Sequence, residues 1–115
     1  DNEMLSEATV KVYIGNNRTI ATAEGNGPVN ALDGALRKAI TSYYPDLAQI
    51  ELTDFKVRVL NEKKGTGAVV RVLIESSDTE NSWGTIGISE NIIEASWQAL
   101  EDSIIYGLMN LDKRK

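Results

Sequence analysis

The sequence contains no cysteine and no histidine among its 115 residues. Without cysteine, the fold has no disulfide bonds and no thiol chemistry. Without either residue type, Cys/His zinc sites, Ser–His and Cys–His nucleophile pairs and imidazole acid–base catalysis are excluded. Only carboxylates, lysines and tyrosines could transfer protons, and their spacing forms no recognisable acid–base arrangement. The sequence therefore predicts a domain with no catalytic residues, no metal site and no cofactor of its own.

Long apolar runs are also missing, since none approaches the roughly 20 residues that cross a bilayer. The net charge is −5 and the pI is about 4.7, so phosphate backbones repel this chain unless its cations are concentrated in one place. The internal cations alternate with apolar residues, which indicates the solvent face of a hairpin. We therefore expect neither membrane nor nucleic acid as a partner. These cations are Lys56, Arg58, Lys63, Lys64 and Arg71.

The length and the composition, with 42% hydrophobic and 25% charged residues, are typical of one globular domain. We therefore expect residues 1–115 to form a single domain. The lack of disulfides is consistent with a cytoplasmic location. The first residues are acidic and unlike a signal peptide, and they suggest a cut made inside a longer chain.

The first half of the chain predicts two strands and a helix. Residues 8–15 alternate between apolar and polar side chains, a turn is expected at Asn16 and Asn17, and residues 18–24 form the second strand. Pro28 is favoured in the first helical turn, because its fixed φ suits a helix and its missing N–H has no partner there. The helix is expected to end at Tyr44, since the residue before a proline avoids the α region.

The second half predicts three strands and a longer helix. Strands are expected over residues 50–60, 68–75 and 83–88, with polar loops between them. Ser89 is a suitable N-cap for a helix that runs to about Asn110. The predicted class is α+β, a two-layer α/β sandwich with the order ββα–βββα. Residues at helical spacing define the apolar stripe of this helix: Ile93, Trp97, Leu100, Ile104 and Leu108.

A weak internal repeat relates the two halves. Residues 10–14 resemble residues 70–74, and the apolar positions of the two helices align when residues 29–40 are compared with residues 93–104. The repeat predicts two strand–helix units related by a pseudo-twofold axis, each packing its helix on its own sheet. Chance similarity between amphipathic segments is the alternative.

The first candidate binding site is the glycine-bearing start of the first helix. Glycines let a backbone approach a ligand closely, and exposed N–H groups with the helix dipole favour a carboxylate or phosphate. The spacing matches neither a Walker A loop nor a dinucleotide fingerprint, and a simple tight turn is the alternative. The candidate residues are Gly25, Asn26, Gly27, Pro28, Val29, Ala31 and Leu32.

The second candidate is the equivalent start of the second helix, for which ordinary N-capping is the alternative explanation. If the two helix starts converge, they could bind both ends of an amino acid. Backbone N–H groups would bind its carboxylate, Glu24, Glu90 or Asp33 its ammonium group, and small or branched apolar residues its side chain. The candidate residues of this second start are Ser89, Glu90, Asn91, Ile92 and Ile93.

Residues 82–100 resemble the C-terminal end of bacterial citramalate synthases, which belong to the α-isopropylmalate synthase family. Residues 25–32 are similar to the first glycine-bearing helix start of that family's C-terminal domain, and the resemblance extends from about Ala8 to Leu111. It implies an allosteric and dimerisation domain, whose effector residues would include Gly25–Val29 and Ala31. The parent enzymes condense acetyl-CoA with a 2-oxo acid, pyruvate in the citramalate branch, on a TIM barrel that this chain lacks.

The resemblance also implies the partners of the domain. These are a second copy of the chain, the catalytic barrel of its own parent chain and a branched-chain amino-acid effector, isoleucine or leucine. Ser89, Glu90 and Asn91 depart from the usual isopropylmalate synthase motif, which favours the citramalate branch and hence isoleucine. Two alternatives stay open: the regulatory domain of a leucine-inhibited 2-isopropylmalate synthase, or a dimerisation module that binds no effector.

Overall fold

The computed structural model describes residues 5–60 and 68–113. Its elements follow the order ββα–βββα, which confirms the predicted α+β class. The predicted loop at residues 61–67 lies outside the described residues. The strands are β1 (Ser6–Ile14), β2 (Asn17–Gly25), β3 (Glu51–Leu60), β4 (Val69–Ser77) and β5 (Ser82–Ser89), and the helices are α1 (Pro28–Ile40) and α2 (Ile92–Lys113), with a 3₁₀ helix at Pro45–Gln49.

The chain forms two compact units, residues 1–47 and residues 48–115. In the first unit, α1 packs on the β1–β2 hairpin, and in the second α2 packs on the antiparallel sheet β3–β4–β5. Each unit is thus one sheet covered by one helix. The single-domain boundary and the pseudo-twofold relation between the units remain predictions.

The turn of the first hairpin lies one residue earlier than expected. Ile14 pairs with Asn17, so the two-residue loop is Gly15 and Asn16, and the predicted turn at Asn16 and Asn17 is wrong. Gly15 has a φ of 60°, which two-residue hairpin loops of type I′ require at their first position. The predicted alternation of the strand is confirmed, with Val10 buried against α1 and Tyr13 exposed on the other side.

Helix α1 begins at Pro28 as predicted but ends at Ile40, not at Tyr44. The Thr41 hydroxyl donates to the Arg37 carbonyl, which competes with continuation of the helix. The chain then turns into a 3₁₀ helix that the sequence did not predict. There the Leu47 side chain is buried and its carbonyl accepts a hydrogen bond of 3.2 Å from the Arg37 guanidinium. Burial of Leu47 thus explains the early end of α1.

The central strand β4 of the second sheet carries the core. Val72 and Ile74 are fully buried on the side that faces α2. Phe55, Val57 and Val59 lie on this same side of the sheet, since the register sets Val57 opposite Val72. Val57 and Val59 are nevertheless exposed, because α2 packs on β4 and β5.

Helix α2 lies close to β5 because of one glycine. A Cβ atom on Gly87 would lie 1.9 Å from the Ala95 carbonyl oxygen and 3.0 Å from the Ala99 nitrogen. The Thr85 hydroxyl donates to the Ala99 carbonyl at 2.6 Å, and the Trp83 indole donates to the Ser103 carbonyl at 3.1 Å. Backbone contact and side-chain hydrogen bonds therefore fix the helix on the sheet together.

The predicted stripe of α2 is confirmed at Leu100 and Ile104, which are buried, whereas Ile93 is 45% exposed. The helix continues to Lys113, beyond the predicted end at Asn110. The buried stripe of α2 also includes the small residues Ala95, Ser96 and Ala99, which the spacing of large apolar residues did not indicate.

Two buried serines of α2 differ in their hydrogen bonds. Ser103 Oγ lies 2.5 Å from Ser76 Oγ, whereas Ser96 Oγ is buried without a partner in the described part of the chain. We expect Ser96→Ala to leave the free energy of unfolding unchanged or raise it by up to about 1 kcal/mol, because it removes an unsatisfied group. Ser103→Ala should lower it by about 1–3 kcal/mol, since Ser76 loses its partner.

Urea denaturation of both serine variants would check this prediction. Equal destabilisation by the two substitutions would contradict it, because a loss common to both would reflect the helix position rather than the hydrogen bond.

Candidate effector site

The start of α1 carries backbone N–H groups without a side-chain cap. Gly27 is the N-cap residue and Pro28 lacks an N–H group, while the Ala31 N–H bonds to the Gly27 carbonyl at 3.0 Å. No side chain of the described residues caps this end, and its first turn holds no acidic residue. The N–H groups of Val29 and Asn30, together with the helix dipole, are therefore suited to bind an anion.

Gly25 brings the end of β2 against the first turn of α1. A Cβ atom at this position would lie 2.6 Å from the Ala31 nitrogen and 2.8 Å from the Asn30 carbonyl carbon. Gly27 has a φ of 157° and a ψ of 169°, a region that is almost restricted to glycine. The two glycines therefore serve the geometry of the strand-to-helix turn.

The start of α2 is built differently. Its N-cap is Asn91, whose Oδ1 accepts hydrogen bonds from the N–H groups of Ile93 at 2.8 Å and Glu94 at 3.3 Å. The prediction that Ser89 is the N-cap is therefore wrong. An asparagine closer to the helix performs that role, because the first helical residue is Ile92 and not Glu90.

Ser89 completes the cap from outside the helix. Its Oγ accepts a hydrogen bond of 3.1 Å from the Asn91 N–H and donates one of 2.7 Å to Glu94 Oε1. In a capping box, the third helical residue accepts directly from the N-cap N–H group. Here the serine hydroxyl lies between the Asn91 N–H group and the Glu94 carboxylate. The N–H groups of Ile93 and Glu94 bond to the Asn91 side chain, so residues of the chain itself satisfy the first turn.

The two helix starts are thus chemically unequal. The α1 start presents uncapped N–H groups, whereas the Asn91 side chain occupies those of α2. Of the carboxylates considered for an ammonium group, Asp33 is paired with Arg37 at 3.0 Å, while Glu24 and Glu90 are exposed. Of the two starts, only that of α1 therefore lacks a side-chain acceptor for its first-turn N–H groups within the described residues.

We expect Asn91→Ala to lower the free energy of unfolding by about 1 kcal/mol, because two N–H groups lose their acceptor. Asn26→Ala is the matched control, since Asn26 is exposed and makes no capping hydrogen bond in the described structure. Thermal denaturation followed by circular dichroism would measure both. A loss at Asn26 as large as that at Asn91 would contradict the assignment of the cap.

The predicted site residues lie at two helix starts, one in each unit, and convergence of the two starts remains a prediction. These residues differ in exposure. Exposed positions of both starts include Asn26, Glu90, Asn91, Ile92 and Ile93, whereas Val29, Ala31 and Leu32 are buried in the first unit.

A cavity of about 440 Å³ at one end of the second sheet was not anticipated from the sequence. A β-bulge between Leu52 and Asp54 leaves Thr53 outside the ladder, and the Thr53 hydroxyl donates to the Glu75 carbonyl at 3.1 Å. The cavity is also lined by Ser82 and Trp83. Strand alternation carries no signal for a bulge, so this cavity could not be read from the pattern.

Within residues 5–60 and 68–113, no group of three acidic side chains could hold a metal ion, and no helix is long and apolar enough to cross a membrane.

Comparison with known proteins identifies the family. The family model described as the LeuA allosteric (dimerisation) domain matches residues 1–108. The chain belongs to this family. Its assignment agrees with the resemblance seen at both helix starts, and the described elements of the LeuA-type domain supply the ββα and βββα units.

The LeuA-type domain is similar to parts of longer enzymes. It is 56% identical over 108 residues to an (R)-citramalate synthase of Geobacter sulfurreducens, covering 94% of this chain and 20% of that protein. It is 54% identical over 109 residues to one of Aquifex aeolicus, covering 95% and 21%. A 2-isopropylmalate synthase of Shewanella sediminis is 33% identical over 107 residues, covering 93% and 18%. The chain thus spans about a fifth of the length of these relatives.

Proposed function

We propose that this domain binds a branched-chain amino acid and regulates a citramalate synthase-like acyltransferase of which it is a part. The family membership and the higher identity to citramalate synthases support this proposal. The parent enzyme would condense acetyl-CoA with pyruvate in the cytoplasm, and isoleucine would be its feedback inhibitor. The observation that carries the binding proposal is the uncapped start of α1.

The effector carboxylate would bind at the N–H groups of Val29 and Asn30, where the positive end of the helix dipole adds to the attraction. Its ammonium group would bind Glu24, which is exposed and precedes the helix start in the same unit. Small and branched apolar residues at this helix start would contact its side chain. This assigns the anion to the first helix start alone, because Asn91 already occupies the N–H groups of the second.

Inhibition would follow from differential affinity. The effector would prefer one arrangement of the homodimer, and that arrangement would disfavour the productive state of the catalytic barrel. A coupling free energy of about 1–3 kcal/mol is sufficient for such regulation. The domain itself would carry no catalytic residue and no cofactor.

Isothermal titration calorimetry with isoleucine, leucine and valine would test the proposal. Isoleucine should bind most tightly, and isoleucinol, which lacks the carboxylate, should bind at least about 100-fold more weakly, because it loses charge-assisted hydrogen bonds. Equal affinity for isoleucine and isoleucinol would refute the α1 carboxylate site. Stronger binding of leucine would favour regulation of the 2-isopropylmalate synthase type.

The second candidate function is a dimerisation module that binds no effector. The internally satisfied start of α2 favours it, because one of the two expected anion-binding helix starts is closed. If isoleucine, leucine and valine give no heat of binding at millimolar concentration and the chain forms a stable dimer, this candidate is supported against the first.

A further inference from the structure

One face of the second sheet is not covered by its own helix. Alternate residues of β3, β4 and β5 lie on this open face, which is centred on Leu73 and Ile86 and opposes the side that α2 covers. Ile86 and Ile88 are each 51% exposed there. The open face therefore exposes large apolar side chains to solvent.

Charges on the open face are arranged in two rows of opposite sign. Asp54 lies directly opposite Glu75 at one end, and Arg58 lies directly opposite Arg71 at the other. Like charges in such cross-strand positions destabilise a sheet. None of the four side chains forms an ion pair with another described residue, so both rows lack a partner of opposite charge within the described chain.

The rows are separated by the Lys56–Leu73–Ile86 row, which lies midway between them. The distance from the acidic to the basic row is about 13 Å, because four strand residues of about 3.3 Å each separate them. The open face therefore has an acidic end, a basic end and a central row in which the apolar Leu73 and Ile86 lie beside Lys56.

Gly84 lies on the open face beside the acidic row, opposite Glu75. The unit itself does not require a glycine here, since a Cβ atom would meet only Leu73 Cδ1 at 3.4 Å and the Ile74 carbonyl oxygen at 3.9 Å, both ordinary contacts. Glycine weakens a strand and often marks close approach by another surface. Gly84 therefore leaves space on the open face that its own unit does not fill.

We propose that a second copy of this chain docks on the open face, sheet against sheet, around a twofold axis that crosses the strands at Leu73. This axis places the acidic row of each copy over the basic row of the other, and Gly84 opposite Ile88 of the second copy. It also brings Lys56, at the β3 end of the central row, next to Lys56 of the second copy. The interface is closed and self-complementary, as twofold dimers require. An axis parallel to the strands would instead place acid on acid. The proposal rests on the homodimer of the proposed function and names its surface.

Charge reversal would test this surface by sedimentation equilibrium of the intact chain. The double variants R58E/R71E and D54K/E75K should each dimerise at least about 100-fold more weakly than the wild type, because like-charge rows then face each other. Mixing the two variants should restore a heterodimer, since both of its row contacts are complementary. K11E/R18E, which makes the same charge change on exposed residues of the first hairpin, should dimerise like the wild type.

Gly84→Leu adds an independent measurement, because it should weaken dimerisation while the circular dichroism of the monomer stays unchanged. A wild-type dimer whose affinity neither charge-reversal variant alters would overturn the proposed surface and leave the homodimer intact. A wild type that stays monomeric at high concentration would overturn both the surface and the homodimer. A mixture that forms no heterodimer would overturn the twofold arrangement.

Discussion

Replacing Gly87 by alanine should lower the free energy of unfolding by about 3–5 kcal/mol, the range of the most disruptive single substitutions. The added Cβ would lie 1.9 Å from the Ala95 carbonyl oxygen, well inside any possible contact distance. The obstructing atoms are backbone, so no side-chain rotation can relieve the overlap. Helix α2 must move away from β5, and the hydrogen bond from Thr85 to the Ala99 carbonyl is lost with it.

The control for this prediction lies three residues away in the same strand. Gly84→Ala introduces the same methyl group, but its Cβ meets only Leu73 Cδ1 at 3.4 Å, so the free energy of unfolding should change by less than about 1 kcal/mol. Urea denaturation followed by the fluorescence of Trp83 and Trp97 would report on both variants. Equal midpoints for the two alanine variants would refute the close approach of β5 and α2.

Gly87 also shows what sequence patterns reveal about this fold. Alternation and helical spacing predicted the order of the elements, because each element buries one face and side chains repeat with its period. They did not reveal that Gly87, and not the neighbouring Gly84, permits contact between strand and helix. Both glycines interrupt the same strand. Alternation places them on opposite faces of the sheet, but it does not show that the backbone of α2 crosses directly over Gly87.

Boundaries were predicted less well than elements, for local reasons. The turn after β1 was placed one residue late because asparagine and glycine both favour turns, and the register that selects Gly15 depends on the pairing of Ile14 with Asn17. The end of α1 was placed at Tyr44, whereas Arg37 bonds to the Leu47 carbonyl and turns the chain earlier. Such hydrogen bonds join residues whose proximity the sequence pattern does not encode.

The two helix starts were predicted in position, but the hydrogen bonds at the second start were not. Both helices begin within about three residues of the starts that glycine, proline and serine indicate in the sequence, an error that is usual for element boundaries. Ser89 and Asn91 are both good caps by residue type, and the structure selects Asn91 while using Ser89 to join the cap to Glu94. The difference between a closed and an open helix start therefore depends on rotamers, which a sequence pattern cannot specify.

Gly25→Ala should lower the free energy of unfolding by about 2–4 kcal/mol, because its Cβ would lie 2.6 Å from the Ala31 nitrogen. As at Gly87, the obstructing atoms are backbone, and β2 must separate from the first turn of α1. The start of the helix carries the N–H groups of Val29 and Asn30, so the same displacement should also weaken isoleucine binding in calorimetry. Loss of stability and loss of affinity should therefore occur together at this position.

Asn26→Ala is the control for the stability measurement, since the Asn26 side chain is exposed and makes no capping hydrogen bond in the described structure. It should retain the wild-type denaturation midpoint, measured by circular dichroism because both tryptophans lie in the second unit. A Gly25→Ala variant with wild-type stability would show that the β2–α1 turn can open without cost. In that case, the uncapped N–H groups would not be held in a fixed position, and the physical basis for a preformed carboxylate site at the start of α1 would be lost.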